Sequence, residues 1–190
     1  AGGTPVWGIC GGYQMMGREL MDGKGAESGR PGRLPGLNLL PVRTAFSPEK
    51  TRTRVSGSFG RVSGLFHGLS GMRLEGYEIH MGQSAPDGEA ANALCRIRET
   101  QAEGRTDERG AGLCAENCYG TYVHGIFDAP GVAEEIVRTL LLQKGEPAGQ
   151  QSVAQPDFAA YRELQYDRLA AVLRRHLDLK AIYRILEAGI

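Results

Sequence analysis

The chain lacks both long apolar runs and a net charge. No stretch of its 190 residues stays apolar over the roughly 18 positions that a membrane-spanning helix requires. Its 22 lysines and arginines are matched by 22 aspartates and glutamates, so no net field draws the chain to nucleic acid or to an anionic membrane. These absences favour a globular protein that acts on a small, nearly neutral substrate.

The chain also lacks the motifs of common metal and nucleotide sites. Its four cysteines form no C-x-x-C pair and no further ligands stand at the spacing of a zinc site, so we predict no metal here. Cys95, Cys114 and Cys118 are predicted to be buried structural thiols, which fits a reducing compartment and a cytoplasmic protein. No G-x-x-x-x-G-K-[ST] phosphate loop occurs, so any nucleotide site is expected elsewhere.

Among the residues present, the most informative is a cysteine at a predicted strand-to-helix turn. Residues 4–9 are short, mostly apolar and bounded by glycine and proline, whereas residues 13–21 are mostly helix formers. Glycines around Cys10 suit a strained elbow, because Cβ atoms there would collide with the backbone. The helix N-terminus favours a thiolate. The pattern predicts a nucleophile, although an inert buried thiol fits the turn equally well.

His124 stands at the end of a second predicted strand. Residues 118–123 are rich in aromatic and β-branched side chains and a glycine follows the histidine, so the strand delivers His124 to a loop at its tip. An early cysteine elbow and a late strand-end histidine are a common arrangement of catalytic Cys–His pairs. His67 and His176 lack that context and are predicted to be structural, which is also the alternative for His124.

Several strings of the sequence resemble one enzyme family. Residues 8–17 (GICGGYQMMG) resemble the nucleophile region of class I, or triad, glutamine amidotransferase domains. Residues 119–128 (YGTYVHGIFD) and 76–82 (GYEIHMG) resemble the histidine loop and middle signature of their cobalamin-biosynthesis branch. Residues 37–42, 50–51 and 161–170 resemble, more narrowly, the cobyric acid synthase family and its C-terminal domain. Ordered motifs across nearly the whole chain are more specific than any one of them.

The resemblance implies a mechanism and a set of site residues. A Cys10 thiolate attacks the side-chain amide carbon of glutamine, His124 gives a proton to the leaving ammonia, and water then hydrolyses the glutamyl thioester. The N–H of Gly11 is predicted to hold the oxyanion. The residues predicted to bind glutamine come from the helix start and from the middle motif: Tyr13, Gln14, Glu78 and His80. For each of these four, a structural role is the alternative.

One position departs from the triad pattern. In most triad amidotransferases a glutamate that orients the imidazole follows the catalytic histidine by two residues, and here that position is Ile126. The cobyric acid synthase branch resembles this chain in that respect, so the site is predicted to be a Cys10–His124 dyad. A backbone carbonyl or Asp128 is expected to hold the ring instead.

The predicted fold class is α/β: a mostly parallel or mixed central sheet flanked by helices, in the flavodoxin-like three-layer arrangement of class I glutamine amidotransferases. Nine residues precede Cys10, whereas a nucleophile strand in such a sheet normally has earlier β-α units beside it. We therefore expect residues 1–145 to be an amidotransferase domain without its first β-α units, with a strand over residues 37–44. Residues 146–190 are expected to be a helical extension packing on that domain, its last helix capped by Asp178.

The resemblance also implies partners outside this chain. A synthetase domain towards the N-terminus would use ATP and magnesium to amidate peripheral carboxylates (b, d, e and g) of the corrinoid adenosylcobyrinic acid a,c-diamide with ammonia from glutamine. No cofactor is expected in the chain itself. Two alternatives change the acceptor: the amidotransferase part of a cobyrinic a,c-diamide synthase, or a cell-wall lipid amidotransferase subunit. A third is an inactive interaction module, because a truncated domain loses an oxyanion donor.

Overall fold

The structure, a computed structural model, describes residues 3–88, 91–99, 108–146 and 158–189. The chain divides into two compact units, residues 1–148 and residues 149–190. The described strands all belong to the first unit, and the described part of the second unit contains two helices. No helix in the described part of the chain combines the length and apolarity that crossing a bilayer requires.

The strands and helices alternate only in part along the chain. The strands are Val6–Ile9 (β1), Glu19–Asp22 (β2), Gly32–Pro35 (β3), Val42–Phe59 (β4), Arg73–Pro86 (β5), Cys95–Glu99 (β6), Arg109–Ala111 (β7), Leu113–Ala115 (β8), Cys118–Thr121 (β9) and Val123–His124 (β10). The helices are Gly11–Met16 (α1), Val132–Gln143 (α2), Phe158–His176 (α3) and Leu179–Ala188 (α4), with a short 3-10 segment at Gly64–Leu69.

The strands of the first unit form two sheets. In the smaller sheet β1 lies parallel to β9, which pairs antiparallel with β8. The larger sheet has the order β10-β5-β4-β2-β3, with β6 beside β4 and β7 beside β6. There β2 and β4 are parallel and the other pairs antiparallel. The α/β fold with a mixed sheet flanked by helices is confirmed, and antiparallel pairing predominates among the described strands.

Trp7 fixes the position of β1. Its ring centroid lies 4.7 Å from Tyr119, 5.0 Å from Phe127 and 5.9 Å from Phe66. Each such aromatic pair adds about 0.5–1.5 kcal/mol to the burial of its rings. The cluster holds β1 against β9, and therefore determines where the chain leaves the sheet at Cys10.

Glycines let α1 approach the opposite face of β1. A Cβ on Gly8 would lie 2.8 Å from the carbonyl carbon and oxygen of Gly12, closer than real Cβ atoms come. Gly120, the partner of Gly8 across the strand pair, leaves room in the same way for the ring of Tyr13. A second core forms there from Tyr13, Met16, Leu40, Val42, Leu113 and Tyr122.

Residues 37–40 do not form part of the predicted strand, which is a correction. Three of their backbone N–H groups donate to the carbonyl oxygens of Met15 and Met16 at 2.8 to 2.9 Å. The last carbonyl groups of a helix have no hydrogen-bond donors inside the helix, and these three N–H groups of residues 37–40 serve as those donors for α1. Strand β4 begins only at Val42 and continues to Phe59.

The second unit is helical in its described residues. Asp178 accepts a hydrogen bond from the N–H of Ala181 at 3.0 Å, which confirms the predicted cap of α4. The predicted boundary between residues 145 and 146 borders residues 147–157, which lie outside the described ones. The packing of this extension on the amidotransferase domain stays a prediction.

Candidate active site at the strand-to-helix turn

Cys10 occupies the turn between β1 and α1 with a left-handed φ of 54° and a ψ of −113°. Such a backbone conformation costs a residue other than glycine about 1–3 kcal/mol and is concentrated at functional sites. The N–H of Cys10 donates to the carbonyl of Thr121 at 2.9 Å, and its own carbonyl accepts from the N–H of Gln14 at 3.1 Å. These two bonds hold the strained turn that the sequence predicts.

The thiol of Cys10 is half-buried and reaches strand β5. Its Sγ donates to the carbonyl oxygen of Ile79 at 3.4 Å. Beside it, Cβ atoms added to Gly11 or Gly12 would meet no heavy atom within 4 Å. The backbone at Gly11 and Gly12 therefore has open space on the side where a Cβ would stand.

His124 reaches the same part of the molecule from the other sheet. Thr121, the last residue of β9, pairs with Ile9 in the smaller sheet. Val123 and His124 then pair with Glu78 and Tyr77 of β5 in the larger sheet. The segment from residue 121 to 124 thus passes from the strand beside Cys10 to β5. As a result, the Cys10 thiol and His124 both lie against residues 77–79.

The imidazole of His124 is held by a ring and not by an acid. It stacks on Tyr77 with a centroid distance of 5.0 Å and an interplanar angle of 2°. Its Nε2 is buried and has no hydrogen-bond partner among the described residues, an arrangement that calls for a functional explanation. In that part of the chain, no hydrogen bond joins the imidazole to Asp128 or to a backbone carbonyl, contrary to expectation. Ile126 packs in the core instead.

Two of the predicted glutamine-binding residues converge on Tyr122. The Nε2 of Gln14 donates to the Tyr122 hydroxyl at 3.2 Å. The ring of His80 stacks on the Tyr122 ring at a centroid distance of 3.8 Å and an angle of 17°. The Nδ1 of His80 lies 2.7 Å from the carbonyl oxygen of Gly82, so this nitrogen carries the proton. Gln14 and His80 therefore belong to one cluster beside Cys10.

The other two predicted binding residues face the interior. Tyr13 is 3% exposed and packs edge-to-face on Tyr122 at 5.2 Å. Glu78 is 1% exposed, and its carboxylate forms an ion pair with Arg109 of β7. Neither side chain is available to line an open pocket, so the structure favours the structural role for both.

Tyr77, Tyr122, Ser84 and Thr44 are site residues that the sequence did not indicate. Ser84 and Thr44 join Tyr122 through hydrogen bonds of 2.6 Å each. Tyr122 and Tyr77 lie within the strings 119–128 and 76–82, but those strings do not indicate which of their residues face the site. The partners lie on β4 and β5, and cross-strand pairing of such distant residues has no local pattern in the sequence.

Burial keeps two tyrosine hydroxyls at the site and the Cys95 thiol protonated. It raises the pKa of Tyr122, against the hydrogen bonds that its hydroxyl makes with Ser84 and Gln14, and it also raises the pKa of Tyr13. Both phenols therefore stay protonated near neutral pH. Burial also raises the pKa of Cys95 to about 12. Cys95 and Cys114 are buried as predicted, whereas Cys118 is only half-buried, and all four cysteines are free thiols.

Comparison with known proteins identifies close sequence relatives. The family described as CobB/CobQ-like glutamine amidotransferase domain matches residues 1–132. A cobyric acid synthase of Lachnoclostridium phytofermentans is 42% identical over 191 residues, covering 98% of this chain and 36% of that protein. A cobyric acid synthase of Ruminiclostridium cellulolyticum is 43% identical over 188 residues, covering 98% of this chain and 35% of that protein. The chain thus spans about a third of the length of these relatives.

Proposed function

The chain belongs to the CobB/CobQ-like glutamine amidotransferase family, and we propose that it hydrolyses glutamine to glutamate and ammonia for use by another part of the full-length protein. The observation that carries the proposal is the convergence on β5 of a strained, half-buried Cys10 and a histidine whose Nε2 is buried without a partner among the described residues. A nucleophile and an available base are what covalent amide hydrolysis requires.

The residues then act in sequence. The Cys10 thiolate attacks the side-chain amide carbon of glutamine, and the N–H of Gly11 stabilises the oxyanion that forms. His124 donates a proton from Nε2 as the C–N bond breaks, so ammonia leaves and a glutamyl thioester remains. The neutral imidazole next takes a proton from water, which attacks the thioester, and the thiolate leaves as glutamate forms.

We further propose that the ammonia serves a cobyric acid synthase reaction. The relatives at 42% and 43% identity carry that name, which favours this acceptor over the alternatives of the cobyrinic a,c-diamide synthase or cell-wall lipid type. The remaining two thirds of such a protein would bind ATP, magnesium and adenosylcobyrinic acid a,c-diamide, whose b, d, e and g carboxylates receive the nitrogen. The free thiols support a reducing, cytoplasmic location.

The proposed activity is tested on the full-length protein with glutamine alone. We expect release of ammonia and glutamate in equal amounts. The glutamine analogue 6-diazo-5-oxo-norleucine should alkylate Cys10, which mass spectrometry of the peptide carrying residues 8–17 would locate. Labelling at another cysteine, or no ammonia at any glutamine concentration, would overturn the proposal.

We expect Tyr77→Ala to lower kcat for glutamine hydrolysis roughly 10-fold with little change in KM, because an aromatic stack contributes about 0.5–1.5 kcal/mol. The stack on Tyr77 orients His124 in place of a triad carboxylate, and His124 acts in the chemical steps. Steady-state kinetics of ammonia release measures both constants.

Tyr77→Phe keeps the ring and should retain the kcat of the parent protein. Tyr183→Ala, which removes an exposed tyrosine of α4, controls for the loss of a surface ring. A Tyr77→Phe variant as slow as Tyr77→Ala would show that the hydroxyl and not the stack matters, and would contradict the positioning role.

A further inference from the structure

Four side chains beside Cys10 form a continuous chain of hydrogen bonds. Gln14 on α1 donates to the Tyr122 hydroxyl at 3.2 Å, the Tyr122 and Ser84 hydroxyls lie 2.6 Å apart, and so do those of Ser84 and Thr44. Gln14, Tyr122 and Thr44 are buried and Ser84 is half-buried. Because the four come from α1, β4, β5 and the segment between β9 and β10, only the folded domain assembles them.

The amide nitrogen of Gln14 fixes the direction of the first bond in this chain. A carboxamide nitrogen donates and does not accept, so the Tyr122 oxygen is the acceptor of that bond. The Tyr122 and Ser84 hydroxyls, and the Ser84 and Thr44 hydroxyls, each lie 2.6 Å apart, and either member of each pair can donate. Burial raises the pKa of Tyr122, so the phenol keeps its proton.

Two rings keep the Tyr122 hydroxyl in place. His80 stacks on one face of Tyr122 at 3.8 Å, and Tyr13 meets the ring edge-to-face at 5.2 Å. The His80 ring is itself held by its Nδ1 bond to the Gly82 carbonyl at 2.7 Å. A side chain fixed by packing and hydrogen bonds presents its polar atom with little freedom. The acceptor for Gln14 is therefore positioned before any ligand binds.

The consequence is a defined orientation of the Gln14 amide. Its Nε2 is engaged by Tyr122 and lies close to Gly82, where a Cβ would come within 2.7 Å of it. Its Oε1 takes no hydrogen bond from the described residues. Gln14 also follows Cys10 by one helical turn, since its N–H binds the Cys10 carbonyl at 3.1 Å. The Gln14 side chain thus extends from the first turn of the helix that follows Cys10, with its Nε2 engaged and its Oε1 without a donor among the described residues.

We propose that Tyr122, Ser84 and Thr44 are positioning residues that hold the Gln14 amide with Oε1 towards the substrate, where it accepts an N–H of glutamine. This inference rests on the proposed function and deepens it. Glutamine offers two such donors, its carboxamide and its α-ammonium group. A ligand carboxylate in place of either N–H donor would face the Gln14 Oε1 with lone pairs and no proton. The site therefore favours a ligand with a nitrogen donor there.

The test compares three substrates in the full-length protein: glutamine, glutamate γ-methyl ester, which has no amide N–H, and 4-carbamoylbutanoate, which has no ammonium group. Tyr122→Phe removes the acceptor of Gln14 Nε2 and therefore lets the Gln14 carboxamide rotate, so that Oε1 no longer keeps one orientation. We expect kcat/KM for glutamine to fall about 10-fold. This decrease in kcat/KM should be absent for the analogue that lacks the N–H bound by Gln14. The result therefore also identifies whether the carboxamide or the α-ammonium group of glutamine is the donor.

A matched control removes the hydroxyl of Tyr119, a buried tyrosine of β9. Tyr119 donates to the Ser63 carbonyl at 2.9 Å and lies in the other core cluster, so Tyr119→Phe should leave the ratio of kcat/KM among the three substrates unchanged. Ser84→Ala provides a second route, because it removes the hydrogen-bond partner of the Tyr122 hydroxyl and keeps the ring. We expect a change of about 3-fold in the same direction.

The outcomes separate this inference from the proposed function. If the parent protein releases no ammonia from glutamine, the proposed function fails. Suppose that the parent is active and that each of the variants Tyr122→Phe and Ser84→Ala either lowers kcat/KM for all three substrates by the same factor or changes none of the three values. The positioning role is then wrong, while the glutaminase activity stands. A change in selectivity in either variant supports it.

Discussion

Replacing Cys10 by serine is expected to lower ammonia release from glutamine by at least about 10³-fold, because a hydroxyl lacks the nucleophilic thiolate that begins the reaction. The side chains differ by one atom, so the turn at φ 54° and the position beside Ile79 should be kept. Ammonia release by the full-length variant at saturating glutamine measures the effect.

The matched control is Cys118→Ser. Cys118 is also a half-buried free thiol, but it lies at the start of β9, paired with Val6 at the far end of β1 from the turn. Activity should remain near that of the parent protein. Persistent turnover in Cys10→Ser, with the parent rate unaffected by labelling of Cys10, would mean that another nucleophile acts and that the Cys10–His124 dyad is wrong.

Arg109→Met is expected to destabilise the sheet around the site by about 3 kcal/mol, because it leaves the Glu78 carboxylate buried without its charged partner. Glu78 lies on the central strand β5 and is 1% exposed, and Arg109 reaches it from β7. Hydrogen exchange measured by mass spectrometry on peptides of β5, β6 and β7 reports the change. Because Glu78 pairs with Val123, glutamine hydrolysis should fall as well.

Two further variants establish the cause of that loss. Arg96→Met breaks the ion pair of Arg96 and Glu108, where the charged atoms lie 3.7 Å apart and both side chains are more than half exposed, and it should change stability by less than about 0.5 kcal/mol. The double variant Glu78→Met with Arg109→Met removes both charges and should recover much of the loss. A double variant less stable than Arg109→Met alone would exclude an unpaired charge as the cause.

The sequence predicted the strained turn at Cys10 and the cap at Asp178 because both depend on neighbouring residues. Glycines near a reactive residue and an aspartate before a helix have local conformational reasons. The strand predicted over residues 37–44 was wrong in its first half for a non-local reason. Backbone groups there satisfy the carbonyls at the end of α1, and an apolar pattern says nothing about which partner a backbone group finds.

The predicted binding residues show the same limit. Gln14 and His80 meet at Tyr122, whereas Tyr13 and Glu78, taken from the same strings of sequence, are directed into the interior. Which residues of a motif face a site depends on the strand pairing and on what packs opposite. No local pattern links Tyr77 to its partner His124, which is 47 positions away in the chain, although the two pair directly across β5 and β10.

The amino-acid sequence by itself determined the family and predicted Cys10 and His124 as the reacting pair, since these depend on residue types at short spacing. Only the tertiary structure decided what surrounds them: a tyrosine ring on the imidazole where a backbone carbonyl or Asp128 was expected, and a chain of hydroxyl groups that holds the Gln14 amide. The physical reason is that these contacts join α1, β4, β5, β10 and the segment between β9 and β10, so their geometry exists only after these distant parts of the chain have folded together.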